Sequence, residues 1–180
     1  MDDIIKGCVD KDRRQQKALF ELYYKYGLTV AMAYCSHTDE AREVLNDAFL
    51  KVFDKIKDYD PSKPFEAWFR IIVIRTAINH YRKQTNEVKW TDIDDNEKIH
   101  DIVNDEEDGI TDMSPDEVLK LAQQLPPAYR MAINLYAVEG YSHQEIATNL
   151  GITVGTSKSN LSKARAKLKF LISQIRLFSF

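Results

Sequence analysis

The chain has 180 residues, 44% of them hydrophobic, and a formal net charge of −3. That length suits one domain or two small ones, and no apolar run approaches the ~18 residues a membrane span needs. Cys8 and Cys35 show no CxxC spacing and the four histidines are scattered, so no disulfide framework, metal or other cofactor is expected, and a reducing cytoplasm suits the chain. The N-terminus has acids where a signal peptide needs bases.

The net charge hides a segregation. Of 28 acids, 13 fall between Thr85 and Glu117, where Lys89 and Lys98 are the only bases. Elsewhere 15 acids face 23 bases, and after Glu145 the chain carries six Lys or Arg and no carboxylate. A basic protein interrupted by an acidic segment points to a nucleic-acid partner, because phosphate neutralisation dominates that kind of affinity.

In chain order, the opening "MDDIIKGCVDKDRR" supports no assignment. "KALFELYYKYGLTVAMAYC" reads as one or two helices, bent or broken near Gly27. From Asp39 to Lys57 the apolar residues Ala41, Val44, Leu45, Ala48, Phe49, Val52, Phe53 and Ile56 recur at helical spacing, predicting a long amphipathic helix. Leu50 projects from its other side among Glu43, Asn46, Asp47 and Asp54. A single exposed Leu is ordinary, yet an acidic collar also suits a docking knob for a basic partner helix. "YDPSKP" is a turn-rich loop.

"FEAWFRIIVIRTAINHYRK" predicts a central apolar helix, with Trp68, Ile72, Arg75, Asn79, Arg82 and Lys83 on one broad side. An aromatic at the head of a basic stripe can hold single-stranded nucleic acid; core packing is the plainer role for Trp68. Gln84 to Ser114 shows no helical period and reads as a mobile acidic linker. "SPDEVLKLAQQL" restarts a helix, with Ser114 as N-cap and Pro115 at its first position. No strand pattern occurs, so the fold class is all-α.

The C-terminal stretch reads as a helix-turn-helix. Ser142 and Glu145 form a capping box; Ile146, Ala147 and Leu150 make an inner face, and Gly151 sits where a left-handed helix end belongs. After Thr153, a second N-cap, Val154, Leu161, Ala164, Leu168 and Leu171 share one side. The opposite side carries Gly155, Thr156, Ser159, Ser162, Lys163 and Ala166, flanked by Lys158, Asn160, Lys167 and Lys169. Slim residues in the centre with bases at the rims suit a helix lying in the major groove. A merely solvated face would interleave Glu with Lys, and here there is no Glu.

Rival classes lack their signatures. A two-component regulator needs an α/β receiver domain. His37, Asp39, Glu40 and His80 form neither a metal-ligand pattern nor a nucleophile constellation, so no enzyme is expected; such histidines are usually surface or helix-end residues. A helix-turn-helix regulator that acts on DNA alone is a further reading.

"DEAREVLNDAFLKVF", "FEAWFRIIVIRTAINHYRK" and "LPPAYRMAINLYAVEGYSHQEIATNLGITVGTSKSNLSKARAKL", with an acidic spacer between, resemble the extracytoplasmic-function sigma factors, promoter-specificity subunits of bacterial RNA polymerase. The resemblance covers about residues 10–172. It implies two small helical domains: sigma domain 2, a helical bundle, over 1–87, and sigma domain 4, with the helix-turn-helix, over 114–180. The linker of residues 88–113 would run through the polymerase cleft, its acid imitating nucleic acid.

By the same resemblance, Glu43, Asn46, Asp47 and Leu50 would dock on the clamp coiled coil of the core enzyme, whose flap is a further contact. The "YDPSKP" loop resembles the part that captures a flipped base, and Trp68, Arg75, Asn79, Arg82 and Lys83 would hold the opened −10 strand. Arg75 stands where the family often has Asn. Thr156, Lys158, Ser159, Asn160, Ser162, Lys163, Arg165 and Lys167 would contact the −35 element. A membrane anti-sigma factor is among the partners implied, with no insertion of this chain into the membrane.

Overall fold

The computed structural model describes residues 1–87 and 114–177. The expected linker of residues 88–113 lies outside them. All regular structure among the described residues is helical. The chain divides into two compact units, Met1–His80 and Tyr81–Phe180.

The first unit begins with α1 (Asp2–Val9), which the opening sequence did not announce. Asp2 and Asp3 suit the positive end of its dipole, and Ile5 and Cys8 are buried. Lys11 adopts φ 60° in the tight turn to α2 (Arg13–Met32). Asp12 caps that helix, its Oδ1 accepting from the Arg14 N–H at 2.8 Å.

Of the one or two helices read here, one forms: α2 is unbroken at Gly27. A Cβ at Gly27 would lie 2.5 Å from Leu45 Cδ1 and 2.8 Å from Phe69 Cζ. Glycine is there to admit neighbouring side chains, and an interior helical glycine costs stability without ending a helix.

Helix α3 (Thr38–Lys55) is shorter than the predicted Asp39–Lys57, its last turn tightening into a 3₁₀ turn, Ile56–Asp58. Its N-cap is His37, whose Nδ1 accepts from the Glu40 N–H at 3.2 Å. Ala41, Val44, Leu45, Ala48, Phe49 and Val52 form the buried stripe. Helix α4 (Phe65–Glu87) continues past Gln84, correcting the aperiodic reading of residues 84–87.

Aromatic rings fill this core: Phe20 on Phe49 at 4.6 Å, Tyr23 on Phe65 at 4.7 Å, and Phe49 on Phe69 at 5.0 Å between centroids. The Tyr23 hydroxyl donates to Glu66 at 3.0 Å. Burial first, and then that carboxylate, push its ionisation well above the ordinary phenol range.

The second unit holds α5 (Pro115–Gln123), α6 (Pro127–Ile133), a π-helical turn (Asn134–Val138), α7 (His143–Leu150) and α8 (Val154–Leu177). Ser114 and Glu117 make the capping box of α5, with Pro115 opening the helix as predicted. Arg130 is fully buried, its Nε donating to the Ala122 carbonyl at 3.0 Å and its Nη2 to those of Gln123 and Leu125 at 2.9 and 2.7 Å. These carbonyls end α5, where intrahelical donors run out. One guanidinium thus closes α5 and ties it to α6. Leu121, Leu125, Met131, Leu135, Ile146, Leu150, Leu161 and Ala164 fill the core around it.

Candidate docking and nucleic-acid surfaces

On α3 the phase read from the sequence places Leu50 outward, and the side chain is 63% exposed. Glu43, Asn46, Asp47 and Asp54 are exposed beside it. Their helix is fixed from behind by the buried stripe and from the side by Lys51, whose Nζ donates to Thr76 Oγ1 on α4 at 3.1 Å. An apolar knob ringed by carboxylates on a rigid helix suits a basic partner surface.

The Tyr59–Pro64 loop is closed by its own hydrogen bonds. The Tyr59 hydroxyl donates to the Lys63 carbonyl, and Asp60 Oδ1 accepts from Ser62 N and Oγ at 3.0 and 2.8 Å. Those bonds hold the Asp60 carboxyl below the ordinary carboxylate value.

Trp68 takes part in local packing. It is half-buried, with Tyr59 at 5.3 Å and Phe65 at 5.6 Å, so one side packs while an edge stays accessible at the loop's base. Further along α4, Arg75, Asn79, Arg82 and Lys83 are exposed, a basic row leading away from the aromatic group.

In the second unit both turns of the helix-turn-helix close as the sequence indicates. Ser142 accepts from Glu145 N while Glu145 returns to Ser142 N at 2.8 Å. The helix-ending Gly151 has φ 71°. Thr153 Oγ1 accepts from Thr156 N at 3.0 Å, starting α8.

Along α8, Thr156, Lys158, Ser159, Ser162, Arg165 and Lys169 are exposed, and Asn160, Lys163 and Lys167 are half-buried. The stem of Lys167 leans along the helix, its Nζ 5.4 Å from the Phe170 ring. Lys158, Arg165 and Lys169 are thus the exposed bases along this part of α8, with Lys163 half-buried. The inner stripe is also adjusted: Ser157 and Ile172 are buried with Leu161 and Ala164, whereas Val154, Leu168 and Leu171 are half-buried.

Two features escaped sequence reasoning. His80 is not a plain surface residue: its ring lies between Glu40 and Glu43, Nδ1 3.5 Å from one carboxylate and Nε2 3.8 Å from the other. Its spacing from Glu40 and Glu43 gives no signal, because the three meet only through the packing of α3 on α4. The second is a stack around Tyr136. Its ring lies 4.7 Å from that of His143 at an interplanar angle of 23°, and Arg165 Cζ stands 5.9 Å from its centroid. The π-helical register that sets Tyr136 has no sequence periodicity of its own.

Among the described residues no group of three His, Cys, Asp or Glu could hold a metal ion, and no helix is long and apolar enough to cross a membrane.

The family model "Sigma-70 region 2" matches residues 19–87 and "Sigma-70, region 4" matches residues 116–168. The RNA polymerase sigma-H factor of Pseudomonas aeruginosa is 30% identical over 169 residues, covering 87% of this chain and 88% of the relative. The ECF RNA polymerase sigma-E factor of Escherichia coli K12 is 24% identical over 172 residues, covering 91% and 90%. Among solved structures, the sigma factor RpoE from Bartonella quintana, crystallised with the anti-sigma factor NepR, is 24% identical with a TM-score of 0.49, covering 87% of this chain and 96% of that one. With both regions matched in order along one chain, this protein belongs to the sigma-70 family, in its extracytoplasmic-function group.

Proposed function

We propose that this alternative sigma factor binds core RNA polymerase through Glu43, Asn46, Asp47 and Leu50 on α3 and reads promoters with two separate surfaces. The observation carrying this is the presence of both sigma regions in one chain, over residues 19–87 and 116–168. A free-standing helix-turn-helix regulator would have no use for the first.

Trp68, Arg75, Asn79, Arg82 and Lys83 hold the opened −10 strand: the aromatic stacks on a base and the bases follow the phosphates. On α8, Thr156, Lys158, Ser159, Asn160, Ser162 and Lys163 read −35 base edges, while Arg165 and Lys167 hold phosphate. The working division of the chain is residues 1–87, an acidic connector over 88–113, and 114–180. The protein is not an enzyme: it supplies promoter choice, and the polymerase supplies the chemistry. It works in the cytoplasm, where an anti-sigma factor covering Leu50 and its carboxylates would compete with the polymerase.

Retention of the full chain on immobilised core polymerase, followed by run-off transcription, tests this reading. Wild type is expected to be retained and Leu50→Asp lost, with unchanged circular dichroism, since a desolvated hot-spot residue is worth about 2 kcal/mol or more. Equal retention of the variant would place docking elsewhere.

A further inference from the structure

We infer that Tyr136 and His143 are positioning residues that hold the Arg165 guanidinium in place on the −35 surface, through a ring stack anchored on buried Ser157. The inference rests on the assignment of Arg165 as a phosphate holder.

The anchor comes first. Ser157 is 0% exposed, and its Oγ shares a hydrogen bond of 3.0 Å with His143 Nδ1. That bond crosses from the first turn of α8 to the start of α7, so it fixes the imidazole plane within the helix-turn-helix itself. The His143 ring in turn lies nearly parallel to that of Tyr136, 4.7 Å away.

Tyr136 reaches this place because the chain takes a π-helical turn there. The Glu139 N–H donates to the Asn134 carbonyl at 3.1 Å, five residues back, and the Asn134 side chain donates to the Arg130 carbonyl at 3.1 Å. Tyr136 remains 37% exposed, and Arg165 Cζ stands 5.9 Å from its centroid. Arginine is a long side chain with many rotamers, and a cation over a ring favours few of them. A guanidinium already in place binds phosphate with less ordering left to do.

The test uses the full chain with core polymerase, binding −35 promoter fragments across a salt series. Arg165→Ala alone reads the underlying assignment: it is expected to weaken all −35 sequences alike and to lower the log–log salt slope by about 0.9. If it changes neither, the phosphate assignment fails and the inference with it.

Tyr136→Leu is expected to weaken binding about two- to five-fold, the range of an exposed cation–π contact. Base preference should not change. His143→Ala should act in the same direction, and Tyr136→Phe, which keeps the ring, should match wild type. In the Arg165→Ala background Tyr136→Leu should have no further effect. A Tyr136→Leu loss that persists in that background, or that Phe fails to rescue, overturns the inference and gives the tyrosine a direct or purely structural part. So does wild-type binding by Tyr136→Leu when Arg165→Ala is weak.

Discussion

The two units solve the same problem, holding helices together, with different chemistry. In the first, long helices meet through large rings: Phe20, Tyr23, Phe49, Phe65 and Phe69 lie within 6 Å of at least one neighbouring ring centroid. In the second, four of the helical segments have nine residues or fewer. Such pieces are marginal on their own, and polar devices close them: two capping boxes, a left-handed glycine, a buried arginine. Apolar area supports the surface of α3 and α4 from behind; hydrogen bonds fix the angles at which α7 and α8 present theirs.

The largest expected effects strike each unit at its own kind of support. Phe69→Ala removes a fully buried ring and should cost about 3–5 kcal/mol. Arg130→Met should cost about 3 kcal/mol, because the carbonyls of Ala122, Gln123 and Leu125 lose a charged donor. Hydrogen exchange read separately over residues 1–80 and 114–177 checks the comparison. Each variant should lose amide protection in its own unit alone. Loss in both from either substitution would mean that the two units unfold as one.

A smaller pair uses one substitution with opposite signs. Gly27→Ala places a methyl against Leu45 and Phe69 at under 3 Å and should destabilise the first unit by about 1–3 kcal/mol. At Gly155 the nearest neighbour of a Cβ is Thr153 Oγ1 at 3.7 Å, an ordinary contact. Gly155→Ala should therefore stabilise the second unit by up to about 0.5–1 kcal/mol. It should also weaken −35 binding, since the methyl projects from the proposed groove face. Thermal melting and promoter binding together check it, and unchanged −35 affinity would rotate the groove face away from Gly155.

What the sequence made legible follows the same line. Apolar spacing in α3 located its buried stripe and Leu50 opposite it, because a 3.6-residue period records which side is dry. The caps at Ser114, Ser142 and Thr153 and the left-handed Gly151 were legible because each is a local rule with its residues close in sequence. The misreadings concern what distant segments bring. Gly27 reads as a breaker until Leu45 and Phe69 are placed beside it. His80 becomes a partner of Glu40 and Glu43 only when α3 packs on α4. Ser157, one of several serines at the start of α8, carries no sequence signal of its own, yet it is buried against His143. Helix α1 went unread because eight residues between charged flanks carry too little period.

The smallest expected effect isolates the polar devices by pH. Glu145 accepts from the Ser142 backbone N–H and, at 2.7 Å, from its hydroxyl. Those bonds hold its carboxyl below the ordinary value of 4.5. Glu117 is held down by Ser114 through the same pair of bonds, the hydroxyl first. A carboxyl whose folded-state value is depressed contributes stability above its unfolded value and loses it as pH falls through the folded one. The second unit should therefore lose stability on acidification below about pH 4.5, in part through these two groups. Ser142→Ala should cost about 1 kcal/mol at neutral pH, as cap removal does. With only the backbone bond left to hold Glu145 down, the variant's melting temperature should fall less steeply than wild type's over the acid range. Adding Ser114→Ala should flatten the curve further, while the first unit keeps the wild-type slope. Parallel pH curves for wild type and the double variant would show that the capping boxes set the helix starts without contributing to acid sensitivity.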